Sequence, residues 1–314
     1  MKSLREALVD YLAVRRALGT QLREPGWVLG QFLDFLEVEG AVFITIQHAL
    51  RWAMLPPGVQ RATWARRLSM VRGFARWWSA FDPRTEIPPV RLLEGRKQRK
   101  PPHIYTEEEV NGLMREAVRL RPATGIRPWT YVTLLGLLSS TGLRPGEALA
   151  LDVGDVDLQN GILAIRDSKF GKSRFVPVAE STRLALLRYA QMRDKLCRNL
   201  QTEAFLVSQR GLRVHGCAAR NTLVVLSRAI GLRPPGKGRP HGRGPRLRDF
   251  RHSFATWKLV EWYRDGCDVA REIPKLSTYL GHVEVCHTYW YLQAVPELLQ
   301  AASQRLAAPR EAEQ

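Results

Sequence analysis

A basic, proline-rich segment at residues 83–104 divides this chain into two parts. Its five prolines are Pro83, Pro88, Pro89, Pro101 and Pro102. Proline has no backbone N–H to donate and restricts the residue before it, so regular structure cannot continue through this stretch. The sequence therefore predicts a domain linker here. We expect an N-terminal domain at 1–82, a second domain at 105–308 and a short disordered tail at 309–314.

Apolar residues recur at helical spacing in three stretches of the N-terminal part. The first set is Leu4, Leu8, Tyr11 and Leu12, the second Val28, Phe32, Phe35 and Leu36, and the third Trp64, Leu68, Val71, Phe74 and Trp78. This period predicts three amphipathic helices. Arginines occupy the other faces of the third helix, and we expect Arg66, Arg67 and Arg72 to contact phosphates. A solvated charged face would give the same pattern.

The second part begins with a capping box formed by Thr106 and Glu109. A nearly all-apolar helix follows through Trp129, Val132, Leu134, Leu135, Leu137 and Leu138, and its composition predicts complete burial. Two short strands, Gly161–Arg166 and Arg174–Ala179, are joined by a polar turn, and helical patterns resume from Thr182 and from Val214. The fold class predicted is mainly α with a small β-sheet.

The net charge of +18 indicates a polyanionic partner, most commonly nucleic acid. A merely basic, solvated surface would carry the same charge. The longest apolar stretch, 131–138, is too short to cross a bilayer, and charged residues near the N-terminus argue against a signal peptide. We expect a cytoplasmic protein with no membrane partner. The four cysteines contain no C-x-x-C pair, so no structural metal or redox motif is predicted.

A second basic segment, residues 231–251, carries seven Lys or Arg against one Asp and leads into a helix. Such a density of positive charge at a helix start indicates an anion site, although a solvated loop is the alternative. Further candidate DNA contacts lie here, in the linker and in the strand hairpin: Lys237, Arg239, Arg243, Arg96, Lys97, Lys172 and Arg174.

Several residues have the chemistry of a phosphate site. Arg144 is followed three residues later by Glu147, Arg248 and Arg251 begin a helix, and Lys169 lies at the hairpin tip; His282, Tyr289 and Tyr291 follow near the C-terminus. Guanidinium groups bind phosphate oxygens with two donors. No acidic cluster resembles a magnesium site and no Walker loop is present. This set suggests covalent phosphoryl transfer to an oxygen nucleophile without metal, ATP or another cofactor. Taken singly, each residue has a structural explanation.

The order of four segments resembles the tyrosine recombinase family, which includes Xer recombinases and phage integrases. TGLRPGEALAL is similar to its first box, RDSKFGKSRFVPV to the hairpin with the catalytic lysine, LRDFRHSFAT to its second box, and LGHVEVCHTYWYL to its third box with the nucleophile. The family usually places its tyrosine nine residues after the third-box histidine, and His282 is followed nine residues later by Tyr291. One departure is Arg248, which stands where the family usually has histidine.

The resemblance implies a helical core-binding domain and a catalytic domain that form a C-shaped clamp around double-stranded DNA. It implies a site-specific recombinase that cuts and rejoins strands through a 3′-phosphotyrosine. The HTYWYL ending favours association with a mobile element. The catalytic set would be Tyr291, Arg144, Lys169, Arg248, Arg251 and His282, with Glu147 supporting Arg144. The implied partners are further copies of the chain, as dimer to tetramer on DNA, and related recombinases.

Three other functions stay open on the sequence. A type IB topoisomerase shares the chemistry, and a non-catalytic DNA-binding regulator could keep the fold, as the unusual Arg248 would allow. A basic RNA-binding protein fits the charge but leaves the ordered motifs unexplained. Tyr289 is the local rival to Tyr291 as nucleophile.

Overall fold

The computed structural model describes residues 2–19, 22–93, 95, 101–168, 172–197, 200–236, 244–282 and 284–289. They form two compact units, one within Met1–Lys100 and the other within Pro101–Gln314. Within 83–104, the described residues contain no helix or strand. In the described ranges, no helix is long and apolar enough to span a bilayer.

The described residues of the N-terminal unit form four helices: α1 (Leu4–Ala17), α2 (Arg23–Val38), α3 (Ile46–Met54) and α4 (Arg61–Trp78). Ser3 caps α1, and its backbone N–H donates to Glu6 at 2.8 Å. The apolar faces meet in one core that includes the fully buried Phe32 and Phe74. The three predicted helices are present. The additional helix, α3, has only nine residues, too few for a periodic pattern to stand out from the sequence.

The second unit is also mainly helical. Its helices are α5 (Glu107–Val118), α6 (Ile126–Thr141), α7 (Pro145–Ala150), α8 (Glu180–Leu196), α9 (Gly216–Ala229), α10 (Asp249–Arg264), α11 (Val269–Leu280) and α12 (Cys286–Tyr289). Thr106 and Glu109 form the predicted capping box of α5. Helix α6 lies at the centre and packs against α5, α8 and α10. The prediction that Trp129 is buried is wrong, because this side chain lies on the outer face of α6 and is 39% exposed.

A three-stranded antiparallel sheet lies beside these helices, in the order β1 (Val156–Asp157), β2 (Ile162–Ser168) and β3 (Lys172–Pro177). Strand β1 has two residues and was not predicted. Strand β3 begins two residues earlier than predicted. In the β2–β3 register, Leu163 faces Val176 and Ile165 faces Arg174. Paired residues project to the same side of a sheet. The side chain of Arg174 is therefore on the face that buries Ile165.

Helices α10 and α11 share a separate small core that includes Phe254, Leu259, Ile273 and Leu276. Helix α11 begins after Asp268, whose carboxylate accepts from the Ala270 backbone at 3.1 Å. It ends at Gly281, which has a left-handed φ of +70°. A left-handed residue at this position turns the chain sharply, and glycine adopts it without steric cost. This turn places His282 directly after the end of α11.

The fold class is confirmed as mainly α with a small sheet, while the division at 83–104 and the arrangement of the units on DNA stay predictions.

Candidate active site

Three arginines from distant parts of the sequence meet at the end of α11. The carbonyls of Tyr279, Leu280 and Gly281 are consecutive, and each accepts a hydrogen bond from a different arginine. The donors are Arg174 Nε at 2.9 Å, Arg251 Nη2 at 2.7 Å and Arg144 Nη2 at 3.2 Å, respectively. The last carbonyls of a helix have no partner within it and carry partial negative charge. The end of α11 thus gathers positive side chains from β3, α10 and the start of α7.

Arg144 is held at the start of α7 by its own turn of helix. Pro145 occupies the first helical position, where proline is favoured. Glu147 then accepts from the Arg144 backbone N–H at 3.0 Å and from Arg144 Nη1 at 2.6 Å. The Arg144 side chain remains 29% exposed. Its guanidinium is therefore fixed on one side and accessible to a ligand on another.

Glu147 is a buried carboxylate shared by two arginines. Besides Arg144, it accepts from Arg174, with Nη2 at 2.9 Å from Oε2 and Nη1 at 3.2 Å from Oε1. Burial alone would raise the pKa of Glu147, but the hydrogen bonds from Arg174 and from the Arg144 backbone outweigh it and hold this pKa below its ordinary range. Glu147 is thus an anion at neutral pH and orients both guanidinium groups.

Arg251 joins three of the sequence motifs. It is buried on α10 and donates from Nη1 to the Gly142 carbonyl at 3.1 Å and from Nη2 to the Leu280 carbonyl. Gly142 ends α6 with a φ of +61°, and a Cβ at this position would lie 2.5 Å from Phe254 Cδ1. The first motif thus needs glycine here both for its backbone and for the close approach of α10.

Arg248 does not join this cluster. It is the residue immediately before α10 and is exposed, whereas Arg251 one turn later is buried. Within the described ranges, no hydrogen bond or ion pair of Arg248 is found. The sequence predicts the two arginines on one face of the helix, but only Arg251 points into the protein. A role for Arg248 toward DNA stays a prediction.

His282 is oriented by a residue that the sequence analysis did not single out. Its Nδ1 lies 2.7 Å from Thr288 Oγ1, and its backbone N–H donates to the Ser277 carbonyl at 3.0 Å. Thr288 is fully buried on α12. Tyr289, the rival nucleophile, is on the same short helix and is 48% exposed. The sequence offers one indication of Thr288: it is a hydroxyl residue that lies between His282 and Tyr289.

Several predicted residues cannot be placed. Lys169, Tyr291, Arg96, Lys97, Lys237, Arg239 and Arg243 lie outside the described residues, and so does the side chain of Lys172, whose backbone begins β3. Arg174, which the sequence predicts as a DNA contact, is placed differently by the structure. Its side chain is 12% exposed and engages Glu147 and Tyr279, because residue 174 is on the buried face of the sheet.

The arginines of α4 also have partners within their own unit. Arg66 forms an ion pair with Glu24. Arg67 lies over the Trp52 ring, 3.8 Å from its centroid, and donates to the Trp52 carbonyl. Arg72 donates to the carbonyls of Pro88 and Pro89 at 2.7 Å each. These contacts differ from the expectation of side chains offered to phosphates. Arg67 and Arg72 stabilise the unit, and their contact with DNA stays a prediction.

The described residues include no group of three or more His, Cys, Asp or Glu side chains that could hold a metal ion. The chemistry available at the end of α11 is that of hydrogen-bond donors and positive charge. Such a group of donors suits a phosphate that acquires extra negative charge during a reaction.

Comparison with known proteins identifies the family to which the chain is similar. The model of the phage integrase family matches residues 104–297. A putative integrase/recombinase, y4rB, of Sinorhizobium fredii is 44% identical over 98% of each chain. The tyrosine recombinase XerC of Staphylococcus carnosus is 29% identical over 93% of this chain and 92% of its own. The Tn1549 transposon integrase, solved in complex with circular intermediate DNA, covers 96% of this chain and 99% of its own, with a TM-score of 0.63 at 17% identity.

Proposed function

Because the chain belongs to the phage integrase family, as its family match and its 44% identical relative show, we propose that it cleaves and rejoins DNA through Tyr291. Its activity is that of a site-specific DNA recombinase. The observation that supports the assignment of residues is the meeting of Arg144 and Arg251 at the carbonyls immediately before His282. Residues so far apart in sequence are brought to one point at which a phosphodiester could be held.

In this reaction, the Tyr291 phenolate oxygen attacks the scissile phosphorus, and the bond from phosphorus to the 5′-oxygen breaks. A 3′-phosphotyrosine forms, and the leaving 5′-oxygen takes a proton from Lys169. A free tyrosine has a pKa of roughly 10, so nearby guanidinium groups must favour the phenolate. Rejoining is the reverse step, in which a 5′-hydroxyl attacks the phosphotyrosine. The covalent bond conserves the energy of the broken one, so ATP is not required.

Arg144, Arg251 and His282 act on the phosphate itself. The two guanidinium groups stabilise the charge of the pentacoordinate transition state, where each donor is worth on the order of 10²–10³ in rate. Arg251 already donates to Gly142 and Leu280, so its direction is fixed before DNA binds. The Thr288 hydroxyl holds one ring nitrogen of His282, and the other would donate to a non-bridging oxygen.

At position 248 this chain has arginine where the family usually has histidine. Histidine can take up and release a proton near neutral pH, and arginine cannot. Arginine stays protonated at any pH compatible with folding, so only a donor role remains at this position. Since Arg248 is exposed at the start of α10, it is accessible to a DNA phosphate. Proton transfer then falls to Lys169 and His282.

Double-stranded DNA is the proposed substrate, and the excess of positive charge supports it. The two units would enclose the duplex as a C-shaped clamp, with the linker residues Arg96 and Lys97 along the backbone. Exchange of strands between two duplexes requires four active centres, so we propose assembly of the chain to a tetramer on DNA. Related recombinases are further candidate partners, a mobile element is the proposed setting, and the cytoplasm is the proposed location.

Covalent trapping on a nicked suicide duplex tests this proposal. The duplex carries the DNA that flanks the gene, and the nick lets the released strand diffuse away so that the protein–DNA adduct accumulates. We expect an adduct from the unaltered chain and from Tyr289→Phe, and none from Tyr291→Phe. Mapping the junction then gives the cleavage site.

Each other outcome points to a different conclusion. An adduct that survives Tyr291→Phe but not Tyr289→Phe would assign the nucleophile to Tyr289. DNA binding without any adduct would favour a non-catalytic regulator. Relaxation of a supercoiled plasmid that lacks the site, without exchange of strands between duplexes, would favour a type IB topoisomerase.

A further inference from the structure

Among the described residues, the Arg174 guanidinium donates three hydrogen bonds, one to a backbone carbonyl and two to a buried carboxylate. Nε donates to the Tyr279 carbonyl at the end of α11, while Nη1 and Nη2 donate to Glu147. The side chain is 12% exposed. A guanidinium engaged in this way is not offered to a DNA phosphate.

These hydrogen bonds connect three elements that carry the proposed catalytic residues. Strand β3 leads from the hairpin that contains Lys169, Glu147 holds Arg144, and the end of α11 precedes His282. The fit is close, because a Cβ on Gly281 would lie 2.8 Å from Arg174 Nη1. The motif glycine thus admits the guanidinium into the turn that presents His282.

We propose that Arg174 is a positioning residue that fixes Arg144 and the His282 turn relative to the β2–β3 hairpin. The proposal rests on the function proposed above. Arg174 does not touch the reacting atoms; it acts through Glu147 and through the Tyr279 carbonyl. Its planar fork matches a carboxylate and a carbonyl at once, which a lysine ammonium on a longer flexible stem does not reproduce.

Arg174→Lys keeps the charge and removes the fork, so it separates positioning from electrostatics. We expect the single-turnover rate of cleavage on the suicide duplex to fall by about 10- to 100-fold, because small displacements of catalytic groups reduce rate steeply. The Kd for DNA, measured in a Tyr291→Phe background, should change by less than about twofold. The dependence of that Kd on salt should not change, since no phosphate contact is lost.

Arg183→Lys is the matched control. Arg183 has the same pattern of contacts, with one donor to the Leu158 carbonyl and two to the carboxylate of Glu180, away from the proposed site. Both substitutions remove an arginine fork from the same unit. Only Arg174→Lys should slow cleavage, and Arg183→Lys should leave the cleavage rate within about twofold of the unaltered chain.

A double-mutant cycle with Glu147→Gln tests the route of the effect. If Arg174 acts through Glu147, Arg174→Lys should cost much less in the Glu147→Gln background than alone. Independent, additive losses would overturn the proposed route. If Arg174→Lys does not fold, the partner variant Glu147→Gln reports on the same connection, and it should slow cleavage without weakening DNA binding.

Two results would overturn the positioning role alone. One is cleavage by Arg174→Lys at the unaltered rate. The other is a several-fold rise in Kd with a salt slope reduced by about one, which is the signature of a lost phosphate contact. Absence of any adduct from the unaltered chain would instead overturn the proposed function, and the positioning role with it.

Discussion

The carboxylate of Glu147 accepts two hydrogen bonds from Arg174, at 2.9 and 3.2 Å, while it also holds Arg144 at 2.6 Å. One buried anion thus joins the start of α7 to strand β3. The Glu147 side chain is 6% exposed, whereas that of Arg144 is 29% exposed. The charge of Glu147 therefore matters both to the stability of the second unit and to the direction of a proposed catalytic group.

Glu147→Gln removes this charge and preserves the shape of the side chain. We expect the free energy of unfolding at pH 7 to fall by about 3 kcal/mol, because loss of one partner from a buried ion pair leaves the other charges uncompensated. The folded-state pKa of Glu147 is below its ordinary value of 4.5. Its contribution is therefore present above pH 4.5 and is lost as the pH falls through the folded-state pKa. Urea unfolding at several pH values measures the difference.

Glu180→Gln is the control for that experiment. Glu180 pairs with Arg183, but its side chain is 67% exposed. Exposed ion pairs contribute little to stability because water screens them, so Glu180→Gln should lose much less stability than Glu147→Gln. Similar losses of stability in the two variants would show that burial of Glu147 is not what makes its charge important.

The placement of Arg174 shows what sequence reasoning achieved and what it missed. The motif order predicts Arg144, Arg251 and His282 as members of one site, and the structure brings them to one helix end. Their catalytic role stays a prediction. Arg174 was predicted as one of the DNA contacts in the strand hairpin. The alternation of a strand would have placed it on the same face as the buried Val176, two residues later. The partner on that face, Glu147, is distant in sequence and could not be read from any local pattern.

The arginines of α4 illustrate a different limit. Helical periodicity correctly placed these arginines outside the apolar face of α4. It does not reveal which groups of the folded unit lie next to the arginines. Arg67 stacks on Trp52 of α3, the helix that was too short to predict. Arg72 caps two carbonyls of the proline-rich segment. Both contacts depend on tertiary packing, which one-dimensional patterns do not contain.

Gly281→Ala tests the close approach of Arg174 to the end of α11. The substitution puts alanine in the left-handed conformation that Gly281 adopts, and it adds a Cβ 2.8 Å from Arg174 Nη1. Gly266→Ala is a matched control, because Gly266 has a φ of +71° and no neighbour within 4 Å of an added Cβ. We expect Gly266→Ala to cost about 1–2 kcal/mol of stability from its backbone alone. Gly281→Ala should lower the free energy of unfolding by at least about 1 kcal/mol more, because it displaces a hydrogen bond of Arg174. It should also slow cleavage. Equal effects on thermal unfolding and on cleavage would contradict the proposed packing.

Thr288→Val tests whether the hydroxyl of Thr288 orients His282. Valine fills nearly the same volume but cannot hydrogen-bond to Nδ1, which lies 2.7 Å from Oγ1 in the structure. The lost hydrogen bond is worth about 1 kcal/mol, and without it His282 is oriented less well. We therefore expect the cleavage rate to fall roughly 5- to 10-fold. Thr288→Ser keeps the hydroxyl and should restore the rate to within about twofold of the unaltered chain. If serine and valine reduced the rate equally, packing rather than hydrogen bonding would be the role of Thr288.

His252, on α10, should make the free energy of unfolding decrease in acid. Burial of the imidazole lowers the pKa of His252 from 6.5 to about 4, and nearby Arg248 and Arg251 add to the effect. Between these two values the unfolded chain takes up a proton that the folded chain refuses. The free energy of unfolding should therefore be undiminished above pH 6.5 and should decline as the pH falls toward 4. His252→Gln, which has no such proton to bind, should show a smaller decline between pH 6.5 and 4.5. Urea unfolding of both proteins across that range measures it, and parallel declines would show that His252 is not the group responsible.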